Sequence, residues 1–447
     1  MRTWNVVLGA GVLAAATAVL LLGGALSGPP RGSALAVGRG QAPGTDDGSV
    51  ASLLAGFASG DTVRLVRELE ARALTDPGSG SVLAALALAY QQRARETADP
   101  SFYELSARAL ARAAAARGPE DVIVQGRASL ANTRHRFSDG LRLSRRAVHL
   151  DPEDGAAYGA LGDALLGLGR YRKAFAAYDR MAKLSPGIPS YARVAHARAL
   201  LGRTEAAAEA YELALEAGPL VPEYVAWSRV QLGNLYFEAG ALARAERAFR
   251  QAQRALPGYV HAEAAFARVD AARGRYARAA RQLSAVVDAL PVPAYAIQLA
   301  DVLHAAGRTA EAKRAEELVG ALQRLLDANG VRTELQTALF DLDRNRSVRD
   351  ALRGARLAQA SAPSIQAEDV LAWGLFKAGR CAQARAHSTR ALRLGTKNAL
   401  AYFHRGLIER CLGSSSWRWW LERALETNPR FSIRFAPLAR HVLAGAS

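Results

Sequence analysis

The chain has 447 residues, of which 50% are hydrophobic, 22% are charged and 7% are aromatic. This length excludes a single ordinary hydrophobic core and predicts either two or three domains or an array of stacked repeats. The formal net charge is +17, and all but five of the basic residues are arginines. We interpret most of this charge as solvated helix faces, although arginine is also suited to nucleic acids and anionic lipids.

The N-terminal segment, residues 1–28, contains an uncharged run from Val6 to Leu26. The run is long enough for a membrane span of about 20 residues. Small-residue cleavage contexts follow at Ala25–Ser27 and Ala34–Ala36, so an uncleaved anchor and a cleaved signal peptide both remain open. Either case predicts a repeat domain outside the cytoplasm, membrane-anchored or secreted. Residues 29–48 are rich in Gly, Pro and Ala and predict a flexible linker.

Four types of residue then recur in register, at a dominant step of 33 or 34 residues. A full repeat has a small residue, a glycine, an alanine and a proline, as at Gly162, Gly169, Ala174 and Pro186. Small residues let two helices cross closely, glycine ends the first helix and proline ends the second. The pattern predicts antiparallel helix pairs that stack because one pair cannot bury its apolar face alone.

The repeat resembles the tetratricopeptide repeat (TPR) family. Its aromatic, Leu-Gly, Gly, Tyr, Ala, aromatic and Pro positions are matched by Tyr158, Leu161, Gly162, Gly169, Tyr171, Ala174, Tyr178 and Pro186. The resemblance implies an all-α, right-handed α-solenoid of about ten antiparallel helix pairs, preceded by the N-terminal hydrophobic helix. We expect degenerate helical repeats over residues 49–120, a TPR array over 121–331, divergent TPR-like repeats over 332–430 and a C-terminal cap over 431–447.

The repeat is irregular near residues 330–347. The stretch before it predicts one elongated helix that ends at Asn329–Gly330, and the next repeat has Asp343–Ser347 where the turn glycine should be. We therefore expect a kink or a loosened junction there.

The sequence contains no phosphate-binding loop, dinucleotide-binding glycine cluster, GxSxG elbow or HExxH pair. We therefore expect no catalysis, no cofactor and no metal. Cys381 and Cys411 fall at helix ends that a stacked array makes neighbours, so a disulfide and two buried free thiols both remain open. Trp417, Trp419 and Trp420 share one helical turn and cannot all face the core. At least one is expected to be exposed or to be covered by the C-terminal segment. Capping of the solenoid end, a membrane contact and a partner contact all remain open.

The family resemblance implies a concave groove lined by the first helix of each pair, which binds a protein or peptide. Transferred onto this chain, its residues are Asp163, His196, Trp227, Asn234, Phe237, Arg268, Asp301 and Trp373. Val230 stands where the family's clamp for chaperone C-termini has lysine, so that docking is not expected. The function predicted is a non-catalytic scaffold, membrane-tethered or exported. The alternative is an arginine-rich surface, centred on Arg134–His149, that binds nucleic acid or another polyanion; the oligomeric state stays open.

Overall fold

The computed structural model describes residues 62–217 and 222–445, which form 22 helices and no strand. The predicted hydrophobic helix at 1–28 and the linker at 29–48 lie outside these ranges. Within them, none of the helices has both the length and the apolar character that a bilayer span requires.

The helices form ten consecutive hairpin pairs, α2/α3 to α20/α21, with α1 before them and α22 after them. This is the number of pairs expected from the repeat. The helices are α1 (Thr62–Thr75), α2 (Gly80–Thr97), α3 (Ser101–Ala115), α4 (Glu120–Thr133), α5 (Phe137–Leu150), α6 (Gly155–Gly167), α7 (Tyr171–Leu184), α8 (Ile188–Leu200), α9 (Thr204–Ala217), α10 (Pro222–Glu238), α11 (Leu242–Ala255), α12 (Val260–Ala272), α13 (Tyr276–Ala289), α14 (Pro293–Ala305), α15 (Thr309–Ala328), α16 (Glu334–Asp343), α17 (Val348–Ser361), α18 (Ile365–Lys377), α19 (Cys381–Ala391), α20 (Ala399–Cys411), α21 (Trp417–Thr427) and α22 (Phe435–Ala444).

The small residues of the repeat lie where the two helices of a pair cross. A Cβ atom at Gly162 would lie 2.3 Å from the ring of Tyr178, and one at Gly233 would lie 2.2 Å from the ring of Phe249. Ala174 on the facing helix is fully buried. Bulk at these positions would push the paired helices apart, as the repeat pattern predicts.

The junction between α15 and α16 differs from every other junction between neighbouring helices. The elongated α15 is confirmed, with 20 residues that end at Ala328. Its backbone approaches α16 less closely than any other consecutive helices approach each other. The turn that lacks glycine places Asn345 at φ +53° and Ser347 at φ +37°, a backbone region that few side chains other than Asn and Asp adopt readily. The loosened junction is therefore a feature of the structure.

Helix pairs that are six positions apart along the chain also touch, because the solenoid completes a full superhelical turn. We call this line of contact the seam. In the first superhelical turn, the seam is formed by the short connections between the two helices of a pair. In the second, it is formed by the loops between successive pairs. Its hydrogen bonds connect residues 191 to 197 positions apart: His135 Nδ1 with Arg332 O at 2.7 Å, Ile365 N to Tyr171 OH at 2.7 Å, Thr396 Oγ1 to Leu200 O, and Asn428 Nδ2 to Phe237 O at 2.8 Å.

Two turn glycines are needed at the seam for a second reason. A Cβ atom at Gly169 would lie 2.3 Å from the carbonyl oxygen of Pro363, and one at Gly202 would lie 2.4 Å from that of Gly395. Both glycines also have positive φ, +67° and +71°. They therefore end the first helix of a pair and let the next superhelical turn approach.

Candidate protein-binding groove

All eight predicted groove residues lie on first helices of pairs. Asp163 is on α6, His196 on α8, Trp227, Asn234 and Phe237 on α10, Arg268 on α12, Asp301 on α14 and Trp373 on α18. Their surroundings divide the groove wall into two halves. The half from α6 to α12 keeps polar side chains partly exposed, and the half from α14 to α20 is covered by the chain's own C-terminal segment.

At the start of the wall, Asp163 accepts hydrogen bonds from its own repeat and from the next one. Arg193 on α8 donates two hydrogen bonds to the Asp163 carboxylate, at 3.0 and 2.8 Å, and Tyr178 OH donates a third at 2.9 Å. Asp163 is 6% exposed and Arg193 is 2% exposed. A bidentate arginine–carboxylate pair of this kind fixes geometry strongly, so this pair holds α6 and α8 together. The repeat pattern did not single out Arg193, whose only sequence signal is its position 30 residues after Asp163.

His196 lies beside this pair and is partly exposed. Burial lowers its pKa to about 4, so its imidazole is neutral at physiological pH. It makes no hydrogen bond to another described residue. A neutral imidazole with free donor and acceptor sites suits a hydrogen bond to a peptide group.

Asn234, Phe237 and Arg268 form one cluster across two repeats. The Arg268 guanidinium lies 4.2 Å from the centroid of the Phe237 ring and donates to Asn234 Oδ1 at 3.0 Å and to Glu238 Oε1 at 2.8 Å. Phe237 is buried, whereas Asn234 and Arg268 are partly exposed. Trp227 is 6% exposed, and its indole Nε1 has no hydrogen-bond partner among the described residues. The cluster therefore presents a polar rim above an aromatic floor.

Asp301 is buried in an ionic cluster at the loosened junction. Arg344 contacts its carboxylate at 2.7 Å and Arg434 at 3.3 Å, and Arg344 also donates to Glu316 at 2.7 Å. Burial raises the pKa of Asp301 to about 6 in spite of these cations. Long arginine side chains thus fill the space that the helix backbones leave between α15 and α16.

Trp373 is only 1% exposed. Its ring stacks on His404 at 4.3 Å and meets the edge of Phe435 at 5.9 Å. Its Nε1 donates to Asp343 Oδ1 at 3.0 Å. Burial raises the pKa of Asp343 to about 7. In this conformation Trp373 is a packing residue.

The segment of residues 428–435, between α21 and α22, covers this half of the wall. Arg434 reaches Asp301 and Phe435 packs on Trp373, while Asn428 fastens the start of the segment to the carbonyl of Phe237 near the end of α10. We call it the C-terminal strap. The cap predicted for 431–447 thus begins with a chain segment that crosses the groove, a path that the repeat pattern does not contain.

The two cysteines and the three tryptophans of α21 lie outside the set of predicted groove residues. Cys381 and Cys411 are joined by a disulfide, with their Cα atoms 6.2 Å apart. Trp419 is 55% exposed, as expected for one of the three tryptophans, while Trp417 and Trp420 are partly buried.

The arginine-rich stretch at Arg134–His149 forms several ion pairs. Arg134 lies 3.4 Å from Glu104, Arg142 lies 3.4 Å from Asp139, and Arg146 pairs with Glu120. These carboxylates neutralise part of the charge on which polyanion binding would depend. Across residues 62–217 and 222–445, no group of three His, Cys, Asp or Glu side chains is arranged to hold a metal ion.

Two models of the tetratricopeptide repeat family match the sequence, over residues 126–189 and 188–219. A comparison with curated proteins gives no match. One similar solved structure is the crystal structure of the APC/C hetero-tetramer Cut9–Hcn1, with a TM-score of 0.39, 14% identity and 89% of each chain covered. Another is TTC0263, a thermophilic TPR protein in Thermus thermophilus, with a TM-score of 0.34, 19% identity, 40% of this chain covered and 91% of that chain covered.

TM-scores this low do not establish a shared overall shape, so the assignment depends on the sequence matches and on the paired helices. Stacked repeats of this family provide extended surfaces for protein–protein interaction, and such proteins are generally not enzymes. Residues 126–219 are therefore tetratricopeptide repeats, and the paired helices of the described residues have the architecture of a protein-interaction scaffold.

Proposed function

We propose that this chain is a non-catalytic scaffold that binds a peptide or a partner protein in the half of its groove between α6 and α12. The observation that supports this is the wall formed by His196, Asn234 and Arg268. Arg268 lies against the buried Phe237 ring and bonds to Asn234, and His196 is partly exposed on the neighbouring first helix, α8. An extended peptide needs this combination, because polar groups fix its backbone and apolar contacts hold alternate side chains.

The test is site-specific photocrosslinking in the native cell. A photoreactive amino acid is placed at Asn234 or His196, and a matched control carries it at Leu213, which is 45% exposed on a second helix. We expect a discrete crosslinked partner from the two groove positions and none from Leu213. Equal products from all three positions, or none from the groove, would contradict this placement.

A substitution test then asks whether the groove contributes affinity. Asn234→Ala removes a partly exposed side chain and is expected to reduce the crosslink from His196 while the fold is retained. Trp227→Ala is a poor choice, because Trp227 is buried and its truncation opens a cavity that destabilises the helix pair by about 3–5 kcal/mol.

We also propose that residues 1–28 tether the scaffold to a membrane or export it, and that residues 29–48 let it extend from that membrane. The support is the uncharged run from Val6 to Leu26, which has the length of a bilayer span. Membrane fractionation with N-terminal sequencing of the mature chain tests this. A soluble cytoplasmic chain that retains Met1 would contradict both the anchor and the signal peptide.

Binding of a polyanion is the alternative, favoured by the net charge of +17. The affinity for a nucleic acid duplex, measured at increasing salt concentrations, distinguishes the two functions. A steep loss of affinity with salt supports the alternative, and absence of binding at physiological salt supports the peptide scaffold.

A further inference from the structure

A cavity of about 160 Å³ lies at the seam, between the first superhelical turn and the second. Its walls come from the end of α2 and start of α3, the loop before α14, the last turns of α15 and the start of α16. Most of the lining is apolar, including Leu290, Val292, Leu322, Leu326 and Val331. None of the eight predicted groove residues lines it, so this cavity is separate from the groove.

Three residues that line this cavity each have a buried side-chain atom without a hydrogen-bond partner among the described residues: Arg95 Nε, Gln323 Nε2 and Gln336 Oε1. Because the oxygen and nitrogen of a glutamine amide are interchangeable in assignment, Gln336 is also able to present its amide donor. Buried polar atoms without a partner are uncommon in folded proteins. Three residues with such atoms line this one hollow, where a polar group of a ligand would supply the missing partner.

The charge of the cavity is positive. Arg95 forms no ion pair with a described carboxylate, and its guanidinium donates to the neutral amide of Gln92. Glu96 and Glu223 are the acidic residues near it, and Glu96 accepts hydrogen bonds from Thr62 and Arg93. Arg95 is partly exposed, but an arginine stays protonated in proteins and a charge beside apolar surface is most stable when it is paired. The missing partner of Arg95 is therefore an anion.

We propose that the seam cavity binds a small amphipathic carboxylate, whose carboxylate group pairs with Arg95 and the two glutamine amides and whose apolar body fills the hollow. An apolar cavity of about 150 Å³ accommodates benzene, so this one has space for a single aromatic ring or a short alkyl chain. The ligand contacts both superhelical turns and stabilises the wound form, since it binds only when the seam is closed.

The test uses phenylacetate and its neutral counterpart 2-phenylethanol as probes, with isothermal titration calorimetry on the full chain. We expect phenylacetate to bind about tenfold or more tightly than the alcohol, which is the range of a charge-assisted hydrogen bond. Arg95→Met is expected to abolish this preference and to raise the melting temperature, because it removes an unpaired charge from the wall of a mostly apolar cavity. If Arg95 had a purely structural role, Arg95→Met would lower the melting temperature instead. Arg281→Met, at an exposed arginine, is the matched control and is expected to change neither property.

A second variant covers the case in which Arg95→Met fails to fold. Ala294→Leu narrows the cavity from the opposite wall without changing its charge. This variant is expected to lower the affinity for both probes by the same factor. The proposal is overturned if both probes bind the unmodified chain equally, if phenylacetate affinity survives Arg95→Met, or if neither probe binds, in which case water satisfies the three atoms.

Discussion

Replacement of Tyr171 by phenylalanine tests whether the two superhelical turns touch in solution. The Tyr171 hydroxyl accepts a hydrogen bond from the backbone N–H of Ile365, 194 residues further along the chain. Ile365 is the first residue of α18, and an N–H in the first turn of a helix has no partner within its own helix. Tyr171→Phe keeps the buried ring and removes only this acceptor.

The cost follows from the burial of the orphaned N–H group. A buried donor that loses its acceptor destabilises the structure by about 1–3 kcal/mol. Local opening of α18 should become more favourable by the same amount, which accelerates amide hydrogen exchange at Ile365 by roughly 5- to 150-fold. Hydrogen exchange followed by mass spectrometry or NMR measures this directly.

The matched control is Tyr211→Phe. Tyr211 is 6% exposed on α9, and its hydroxyl makes no hydrogen bond to another described residue. Exchange at Ile365 should be unchanged in this variant. If exchange were also unchanged in Tyr171→Phe, the seam contact would be absent in solution and the reasoning would be refuted.

Three further predictions concern the packing and the charges of the array. Burial raises the pKa of Asp343 from 3.8 to about 7, so ionisation of Asp343 destabilises the folded chain as pH rises from about 4 to above 7. Asp343→Asn should therefore restore about 4 kcal/mol of unfolding free energy at pH 8 and nothing below pH 4, as measured by urea unfolding at each pH. Gly162→Val places a side chain in the ring of Tyr178 and should destabilise the chain by about 1–3 kcal/mol or more, seen as a lower urea midpoint; an unchanged midpoint would contradict the helix crossing. Reduction of the Cys381–Cys411 disulfide opens a loop with a sequence separation of 30 and should lower the free energy of unfolding by about 3–4 kcal/mol. Urea unfolding with and without reductant measures this, and the double alanine variant is the control, whose stability should not respond to reductant.

Local features of the fold could be predicted from the sequence because they depend on contacts within one repeat. The glycine at 162 faces Tyr178, only 16 residues away, so the same spacing recurs in every repeat and is visible as a pattern. The elongated α15 and the loosened junction after it are likewise interruptions of a period. The Cys381–Cys411 disulfide, which the sequence left open, joins helix ends that the stacking of repeats makes neighbours.

The seam could not be predicted in this way. The pitch of a solenoid is the sum of small rotations between repeats, and no periodic pattern states that Gly169 approaches Pro363. The same limit applies to the groove. Position on a first helix was enough to select Asp301 and Trp373, but the strap that covers them approaches from residues 428–435, and its path depends on tertiary packing.

The most direct test of the wound superhelix is a distance across the seam, measured by pulsed electron paramagnetic resonance. Spin labels at Arg203→Cys and Lys397→Cys occupy exposed positions on the two edges, next to the approach of Gly202 to Gly395. A short, narrow distance distribution is expected. An open solenoid, in which six helix pairs separate the labels without a return contact, would give a broad distribution centred several helix diameters away, each about 10 Å, and would contradict the seam and the cavity that it encloses.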